Sequence, residues 1–206
     1  MTGRFITLEG PDGGGKSTQI MHLSGWLTAQ GIPHITTREP GGSPYGAEIR
    51  HLLLEGAGDK WDGLSEALLL QTDRNEHLRQ VIRPALAAGT WVISDRFADS
   101  TMVFQSIKGV PAEQLRTLID LVVGTTWPDL TFILDVAPEE GMRRKTAQAK
   151  LDRFEALGTS FQAKVRAGYL EIAHQSPARC HLVDASRPEV EVTTSLTDEI
   201  TKRFLS

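Results

Sequence analysis

Short apolar runs and longer stretches of mixed apolar and polar residues alternate along this chain. The short runs are rich in valine, isoleucine, leucine and phenylalanine, which is typical of strands buried on both faces of a parallel sheet. In the longer stretches apolar residues recur three and four positions apart, which predicts amphipathic helices. The predicted strands are residues 4–9, 34–37, 90–94, 130–136 and 181–184.

Glycine and proline mark the ends of several predicted helices. The first helix follows the first strand and ends near Gly31, with Pro33 just beyond it. A long helical stretch over residues 65–88 is interrupted before Pro84, because proline lacks the N–H group that a helix interior needs. Pro138 opens the helix after the fourth strand. The remaining predicted helices are residues 44–54, 99–106, 112–124, 159–174 and 188–205.

The elements follow one another as a regular alternation of strands and helices. Parallel strands joined by helical crossovers form a doubly wound sheet with helices on both faces. The sequence has no internal repeat and no linker-like segment, so we expect a single domain over residues 1–206. The predicted fold class is therefore α/β, with a five-stranded parallel sheet.

Composition narrows the kinds of partner that the protein binds. The 206 residues carry a formal net charge of -4, which argues against a nucleic acid as the principal partner. No apolar run approaches the ~20 residues that cross a bilayer, so no membrane span is expected. Cys180 is the single cysteine, and the N-terminus lacks the apolar core of a signal peptide. Both observations favour the reducing cytoplasm.

A glycine-rich segment between the first strand and the first helix carries the clearest chemical signal. Gly10–Ser17 fits the pattern G-x-x-x-x-G-K-[ST] of a phosphate-binding loop, or P-loop. Backbone N–H groups and a helix N-terminus form a cradle for phosphates in such a loop. Lys16 is expected to reach the β- and γ-phosphates, and Ser17 to offer its hydroxyl to Mg²⁺. The expected nucleotide-binding residues are Gly10, Pro11, Asp12, Gly13, Gly14, Gly15, Lys16, Ser17 and Thr18.

Polar residues follow the carboxyl ends of other predicted strands. Arg38 and Glu39 follow the second strand, and Asp95 and Arg96 follow the third. A single strand end of this kind also fits a solvated salt bridge, but ligands of open parallel sheets gather at this edge, beside the P-loop. Arginine grips phosphate oxygens with two donors, so Arg38 and Arg96 are read as clamps on a second, acceptor phosphate. The pattern predicts phosphoryl transfer, with Ser17 and Asp95 as candidate Mg²⁺ ligands.

The segment 143–155 is dense in charged residues and follows a strand-to-helix crossover. Two interpretations stay open at this point. The segment is either a solvated helix face or a lid whose cations close over a triphosphate and exclude water.

These motifs together resemble the thymidylate kinases of the bacterial type, a family of P-loop nucleoside monophosphate kinases. Their order and spacing both agree, and the resemblance covers nearly the whole chain. It implies ATP with Mg²⁺ as the donor, dTMP as the acceptor, dTDP as the product and a homodimer. The residues that carry it are 9–18, 37–42, 73–74, 95–97, 100–101, 128–130, 134–136 and 151–155.

The resemblance also implies roles for residues at the acceptor site. Asp12 would hold the sugar 3′-hydroxyl, and Arg38 and Arg96 the acceptor phosphate. Arg74 would hydrogen-bond the O4 atom of thymine. The implied acceptor-binding residues are Asp12, Arg38, Glu39, Pro40, Leu70, Arg74, Arg96, Ser100, Thr101, Phe104, Gln105, Asp152 and Glu155.

For the donor site and for catalysis the resemblance implies a second set of residues. Arg144 would lie near the donor adenine, and a lid over residues 143–155 would close on the acceptor through Asp152 and Glu155. The implied catalytic residues are Lys16, Arg96, Asp12, Arg153 and Lys150.

Two regions depart from the family pattern. The P-loop has no arginine at its variable positions. In this family a P-loop of that kind usually goes with a catalytic arginine in the lid. The middle of this lid, however, has no arginine. Arg144, Lys150 and Arg153 all remain candidates for that cation. In the base pocket, Leu70 stands where the family commonly stacks a phenylalanine, and Phe104 where it commonly has tyrosine. We expect these changes to leave the reaction class unaltered and to affect acceptor preference.

Three other functions were weighed against a dTMP kinase. A kinase for another pyrimidine deoxynucleotide is favoured by Leu70 and Phe104. A nucleotide-binding relative with weak catalysis fits the sparse lid. A P-loop GTPase switch needs the motif Asn-Lys-x-Asp to bind guanine. The single asparagine of this chain, Asn75, is followed by a glutamate, so this motif is absent from the sequence.

Overall fold

The computed structural model describes residues 3–56, 60–146 and 158–205. Its strands are β1 (Phe5–Glu9), β2 (His34–Arg38), β3 (Trp91–Asp95), β4 (Leu130–Asp135) and β5 (Cys180–Asp184). All strand pairs are parallel, and the strands lie side by side in the order β2-β3-β1-β4-β5. The predicted fold class is confirmed, and the ends of the predicted strands differ from the observed ones by one residue at most.

Helices connect the strands and cover both faces of the sheet. The long predicted helix is interrupted before Pro84, as expected, by a π-helical turn at Leu78–Ile82. A second π-helical turn, Thr201–Leu205, ends the described chain. No helix in the described ranges is long and apolar enough to cross a membrane. The helices are α1 (Lys16–Ala29), α2 (Gly46–Leu54), α3 (Gly63–His77), α4 (Arg83–Ala87), α5 (Ala98–Ile107), α6 (Ala112–Val123), α7 (Pro138–Thr146), α8 (Gly158–Gln175) and α9 (Glu189–Ile200).

The core lies on both sides of the sheet because successive strand residues point to opposite faces. Ile6 and Leu8 of β1 belong to a buried cluster that includes residues of α1 and α9. Phe5 points the other way and packs edge-on against Phe97, with ring centroids 4.9 Å apart, in a cluster that includes residues of α5 and α6. The central strands are therefore held rigidly between two layers of helices.

The carboxyl edge of the sheet brings together the strand ends that the sequence marked as polar. β1 is the central strand, and the P-loop leaves from its end. Asp95 of β3 is paired with Leu8 of β1 on one side and with Arg38 of β2 on the other. This register places the end of β3 directly beside the P-loop.

Candidate active site

The P-loop packs closely against β4 and α7. Gly10 and Gly13 have positive φ angles of 128° and 76°. A Cβ atom on Gly10 would collide with the backbone oxygen of Leu134, and one on Gly13 with that of Gly141. Both positions therefore require glycine, for backbone conformation and for space. Helix α1 begins directly after the loop, at Lys16, so the loop leads into a helix N-terminus.

Lys16 is buried within the P-loop. Its Nζ donates to the backbone oxygens of Gly10 at 3.0 Å and Pro11 at 2.9 Å. Burial, together with the positive charge of Arg96, lowers the pKa of Lys16 to about 8. A phosphate beside this ammonium group would favour its charged form, so the loop holds a cation ready for an anion.

Ser17 and Asp95 lie next to each other across the loop. The Ser17 hydroxyl donates to Asp95 Oδ2 at 3.2 Å. Asp95 Oδ1 is buried and finds no hydrogen-bond partner among the residues described. A hydroxyl and a carboxylate next to a phosphate site are the protein ligands that hold Mg²⁺ in P-loop proteins. These two residues therefore fit a Mg²⁺ ion that arrives with a nucleotide.

Arg96 directly follows β3 and has a φ of 67°, which is uncommon for any residue other than glycine. Its Nη2 donates to Asp12 Oδ1 at 2.6 Å. Its Nη1 donates to the Tyr169 hydroxyl at 2.8 Å and to the Gly10 oxygen at 3.2 Å. Burial opposes the charge on Arg96, but the oxygens of Tyr169, Asp12 and Asp95 outweigh this and raise its pKa. Arg96 is thus a permanent cation held between the P-loop and α8.

Glu9 ends β1 and has no solvent-exposed surface. Its carboxylate accepts hydrogen bonds from Phe97 N at 2.7 Å, Ser100 Oγ at 2.6 Å and the Tyr169 hydroxyl at 3.0 Å. Burial, with a smaller contribution from the nearby Asp99 carboxylate, raises the pKa of Glu9 to about 7. The hydrogen bond from Phe97 N fixes the backbone immediately after Arg96, the residue with the left-handed backbone conformation.

A cavity opens beside Arg96. Its walls come from the P-loop, the segment after β2, α3 and α5. Most of the residues that the resemblance assigned to an acceptor lie in these walls. They are Asp12, Glu39, Pro40, Leu70, Arg74, Arg96, Ser100, Thr101, Phe104 and Gln105. We call this space the acceptor cavity.

Arg74 presents one unused donor in the acceptor cavity. Its Nε donates to Glu39 Oε2 at 2.8 Å, and its Nη2 to Thr101 Oγ1 at 3.1 Å. The other Glu39 oxygen lies 2.9 Å from His77 Nδ1. Arg74 Nη1 is buried and meets no acceptor in the described part of the chain. Since a buried unpaired donor is costly, this atom is a candidate contact for a ligand.

Gln105 presents an unused acceptor in the same cavity. Its Nε2 donates to Glu66 Oε2 at 3.0 Å, and the other Glu66 oxygen accepts from Lys108 Nζ at 2.5 Å. Gln105 Oε1 is buried without a partner within the described ranges. Among the described residues that line the cavity, the buried side-chain atoms without a partner are therefore one donor, on Arg74, and one acceptor, on Gln105.

A second, open cavity extends along the P-loop. Residues 13–19 and 185–189 contribute to its walls, together with Arg143 and Arg144. Asp12 lines the acceptor cavity and Gly13 lines the open cavity, so the two cavities adjoin at the P-loop. Their junction lies next to Lys16.

The remaining predicted site residues lie away from the acceptor cavity or outside the described ranges. Arg144 donates to Glu140 Oε1 at 2.7 Å and to the Ala185 oxygen at 3.0 Å. Arg38 is exposed on β2, and it is not one of the described residues that line either cavity. Its role as a phosphate clamp stays a prediction. The residues outside the described part of the chain are Lys150, Asp152, Arg153 and Glu155.

Sequence reasoning missed several side chains that hold the site in place. Glu9, like Asp95, is a carboxylate residue at the end of a buried strand. The same pattern in the sequence could therefore have identified it. Tyr169, Gln162 and Glu66 lie within helices with no local feature that distinguishes them. Gln162 Nε2 lies 3.5 Å from Asp12 Oδ2, so α8 supplies two contacts to the site.

Comparison with known proteins agrees with this architecture. The sequence profile of the family described as thymidylate kinase matches residues 8–196. The thymidylate kinase of Caulobacter vibrioides is 46% identical over 203 residues, or 98% of each chain. That of Magnetococcus marinus is 46% identical over 206 residues, 99% of this chain and 98% of its own. That of Jannaschia sp. is 49% identical over 186 residues, or 88% of each chain. The chain therefore belongs to the thymidylate kinase family.

Proposed function

We propose that this protein transfers the γ-phosphoryl group of ATP to dTMP, with ADP and dTDP as products. Membership of the thymidylate kinase family supports this reaction. The observation that carries it is the junction of two cavities at Asp12 and Gly13. A donor phosphate on the P-loop and an acceptor phosphate beside Arg96 meet there. Phosphoryl transfer needs mainly this positioning and the neutralisation of charge.

On the donor side, the P-loop backbone and Lys16 bind the β- and γ-phosphates of ATP. Lys16 leaves the carbonyl groups of Gly10 and Pro11 and turns to the phosphate oxygens. Ser17 and Asp95 would hold Mg²⁺, which would neutralise charge on the phosphates. Arg144 borders the part of the open cavity that receives the adenine.

On the acceptor side, Arg96 binds the phosphate of dTMP and stabilises the charge that spreads over the transferring group. Its contact with Asp12 keeps that carboxylate at the mouth of the cavity, where it accepts a hydrogen bond from the sugar 3′-hydroxyl. Arg38 completes the phosphate clamp. The lid cation remains to be chosen among Arg144, Lys150 and Arg153.

The base is read by the two unused groups in the acceptor cavity. Arg74 Nη1 donates to the O4 atom of thymine, and Gln105 Oε1 accepts from N3–H. Cytosine has a donor, its N4 amino group, in place of O4, and an acceptor, N3, in place of N3–H. Both contacts would therefore be mismatched. Leu70 and Phe104 provide apolar walls for the base and sugar. We also propose that the protein works in the cytoplasm as a homodimer.

An acceptor comparison tests this function. ADP release with ATP and Mg²⁺ is measured with dTMP, dUMP, dCMP, dGMP and AMP. We expect dTMP to be preferred, whereas preference for dCMP would contradict the base reading. Nucleotide binding without transfer would instead indicate a relative with weak catalysis.

Two variants separate the donor and acceptor sites in the same assay. Lys16→Ala should lower kcat about 100-fold or more, because it removes charge at the donor phosphates. Arg96→Ala should raise the KM for dTMP and lower kcat while leaving ATP binding nearly intact. Near-normal turnover of the first variant, or loss of ATP binding in the second, would show that the roles are misplaced.

A further inference from the structure

An ion pair between the buried Glu66 and the partly exposed Lys108 lies next to the acceptor cavity, on the side of α5 that faces α3. Glu66 of α3 is fully buried, with 0% of its surface exposed. One of its carboxylate oxygens accepts from Lys108 Nζ at 2.5 Å, and the other from Gln105 Nε2 at 3.0 Å. Glu66 does not itself line the acceptor cavity, but Gln105 does.

The carboxylate determines which end of the Gln105 amide faces the cavity. An amide has a donor end and an acceptor end of nearly the same size, and rotation by half a turn exchanges them. An ionised carboxylate only accepts hydrogen bonds, so the NH₂ group of Gln105 must point towards Glu66. The oxygen is then left on the side away from Glu66. Gln105 lines the acceptor cavity, and its Oε1 is buried and unpaired among the described residues.

We propose that Glu66 is a positioning residue that sets pyrimidine selectivity by fixing the orientation of the Gln105 amide. This inference rests on the proposed function and deepens it. Lys108 contributes by neutralising Glu66 from the opposite side, so that a buried carboxylate is tolerated next to an uncharged amide. Selectivity for thymine over cytosine is thereby determined in part by a side chain that does not touch the base.

Glu66→Gln is the variant that tests this orientation most directly. The new amide keeps the size and shape of the original side chain. Lys108 will bind its oxygen, and its NH₂ group then faces Gln105. Since two NH₂ groups cannot bond to each other, Gln105 rotates and turns its own NH₂ group into the cavity. That group opposes the N3–H of thymine and matches the N3 acceptor of cytosine.

The readout is kcat/KM with dTMP and with dCMP. We expect Glu66→Gln to lower the value for dTMP roughly 5- to 100-fold, as for a buried hydrogen bond replaced by two opposed donors. The value for dCMP should stay constant or rise, so the preference for dTMP shrinks. A purely structural defect would lower both values alike, and that result would overturn the proposal.

A double-variant cycle shows whether Glu66 acts through Gln105. Gln105→Met removes the amide, and in that background Glu66→Gln should leave the ratio of dTMP to dCMP unchanged. A further change in the ratio would overturn the proposal. Glu113→Gln, an exposed substitution of the same kind on α6, is the matched control and should behave like the wild type.

Two additional measurements keep the result interpretable. If Glu66→Gln does not fold, Glu66→Met removes the carboxylate with an apolar side chain and should also reduce the preference for dTMP. Calorimetric binding of dTMP and dCMP without ATP gives the same ratio without catalysis. Wild-type protein that binds dTMP but transfers nothing would contradict the proposed function alone. Retained preference in the Glu66 variants would contradict the positioning role alone.

Discussion

Glu9 shows how a single buried carboxyl group organises the residues around it. Four donors converge on it: the backbone N–H of Phe97, which follows Arg96, the N–H and the hydroxyl of Ser100 in α5, and the hydroxyl of Tyr169 in α8. Arg96 keeps its left-handed backbone in part because the Phe97 N–H is fixed. The charged groups that influence Glu9 are Arg96 and Asp99, and burial outweighs both.

The pKa of Glu9 predicts a pH dependence of stability. This pKa is raised from 4.5 to about 7, so the folded chain binds the proton more tightly than the unfolded chain does. The contribution of Glu9 is therefore most favourable below pH 4.5 and is lost as the pH rises through 7. Relative to Glu9→Gln, which cannot titrate, the free energy of unfolding of the wild type should fall by up to about 3 kcal/mol across this window.

Urea unfolding of the two proteins between pH 4 and pH 8 measures this difference. Asp73, whose pKa is raised to about 6 chiefly by burial, is present in both proteins, so its titration largely cancels. A difference that is constant with pH, or that grows in favour of the wild type as the pH rises, would show that folding does not raise the pKa of Glu9.

At the scale of elements, a partly buried arginine joins three parts of the fold. Arg179, just before β5, donates to both carboxylate oxygens of Asp99 in α5, at 2.7 and 2.9 Å. It also donates to Thr131 Oγ1 of β4 at 2.7 Å. The Asp99 side chain is only 5% exposed, so it depends on this partner for its charge.

Arg179→Met should destabilise the protein by about 3 kcal/mol, because it leaves Asp99 buried without its cation. Asp99→Asn with Arg179→Met should cost less than the two single changes together, by about 1 kcal/mol or more. Thermal or urea unfolding provides the measurement. Arg187→Met is the control, since its pair with Glu191 is exposed and should contribute less than about 1 kcal/mol. Equal losses for the two arginines would contradict the argument.

The distance along the chain between contacting residues decides which features the sequence could predict. The strands were found from apolar periodicity because both faces of a parallel strand are buried, as in β1 and β4. Asp95 and Arg96 lie beside the P-loop as predicted, because strand ends share one edge. The bond between Glu66 and Gln105 depends on how α3 packs against α5, and the bond between Glu9 and Tyr169 joins residues 160 positions apart. No local pattern encodes such pairs.

At the scale of the whole molecule, the acceptor cavity has an apolar surface behind it. Helix α3 supplies Leu70 and Arg74 to the cavity. On the same helix, Leu64 and Leu68 are 43% and 48% exposed. Helix α6 packs beside α3 and carries Leu121, which is 81% exposed. Large apolar side chains exposed on two neighbouring helices are candidates for a contact between subunits.

The proposed homodimer would bury this α3–α6 surface against the same surface of a second copy, as twofold symmetry requires. Leu68→Asp and Leu121→Asp should then shift the mass in sedimentation experiments from dimer to monomer, because each places an unpaired charge in an apolar interface. Val190→Asp is the matched control: its side chain is 75% exposed on α9, away from α3, and the dimer should persist. If all three variants sediment like the wild type, the subunits do not meet at this surface. Because the interface would support α3 from behind, the monomeric variants should also show a higher KM for dTMP and an unchanged KM for ATP.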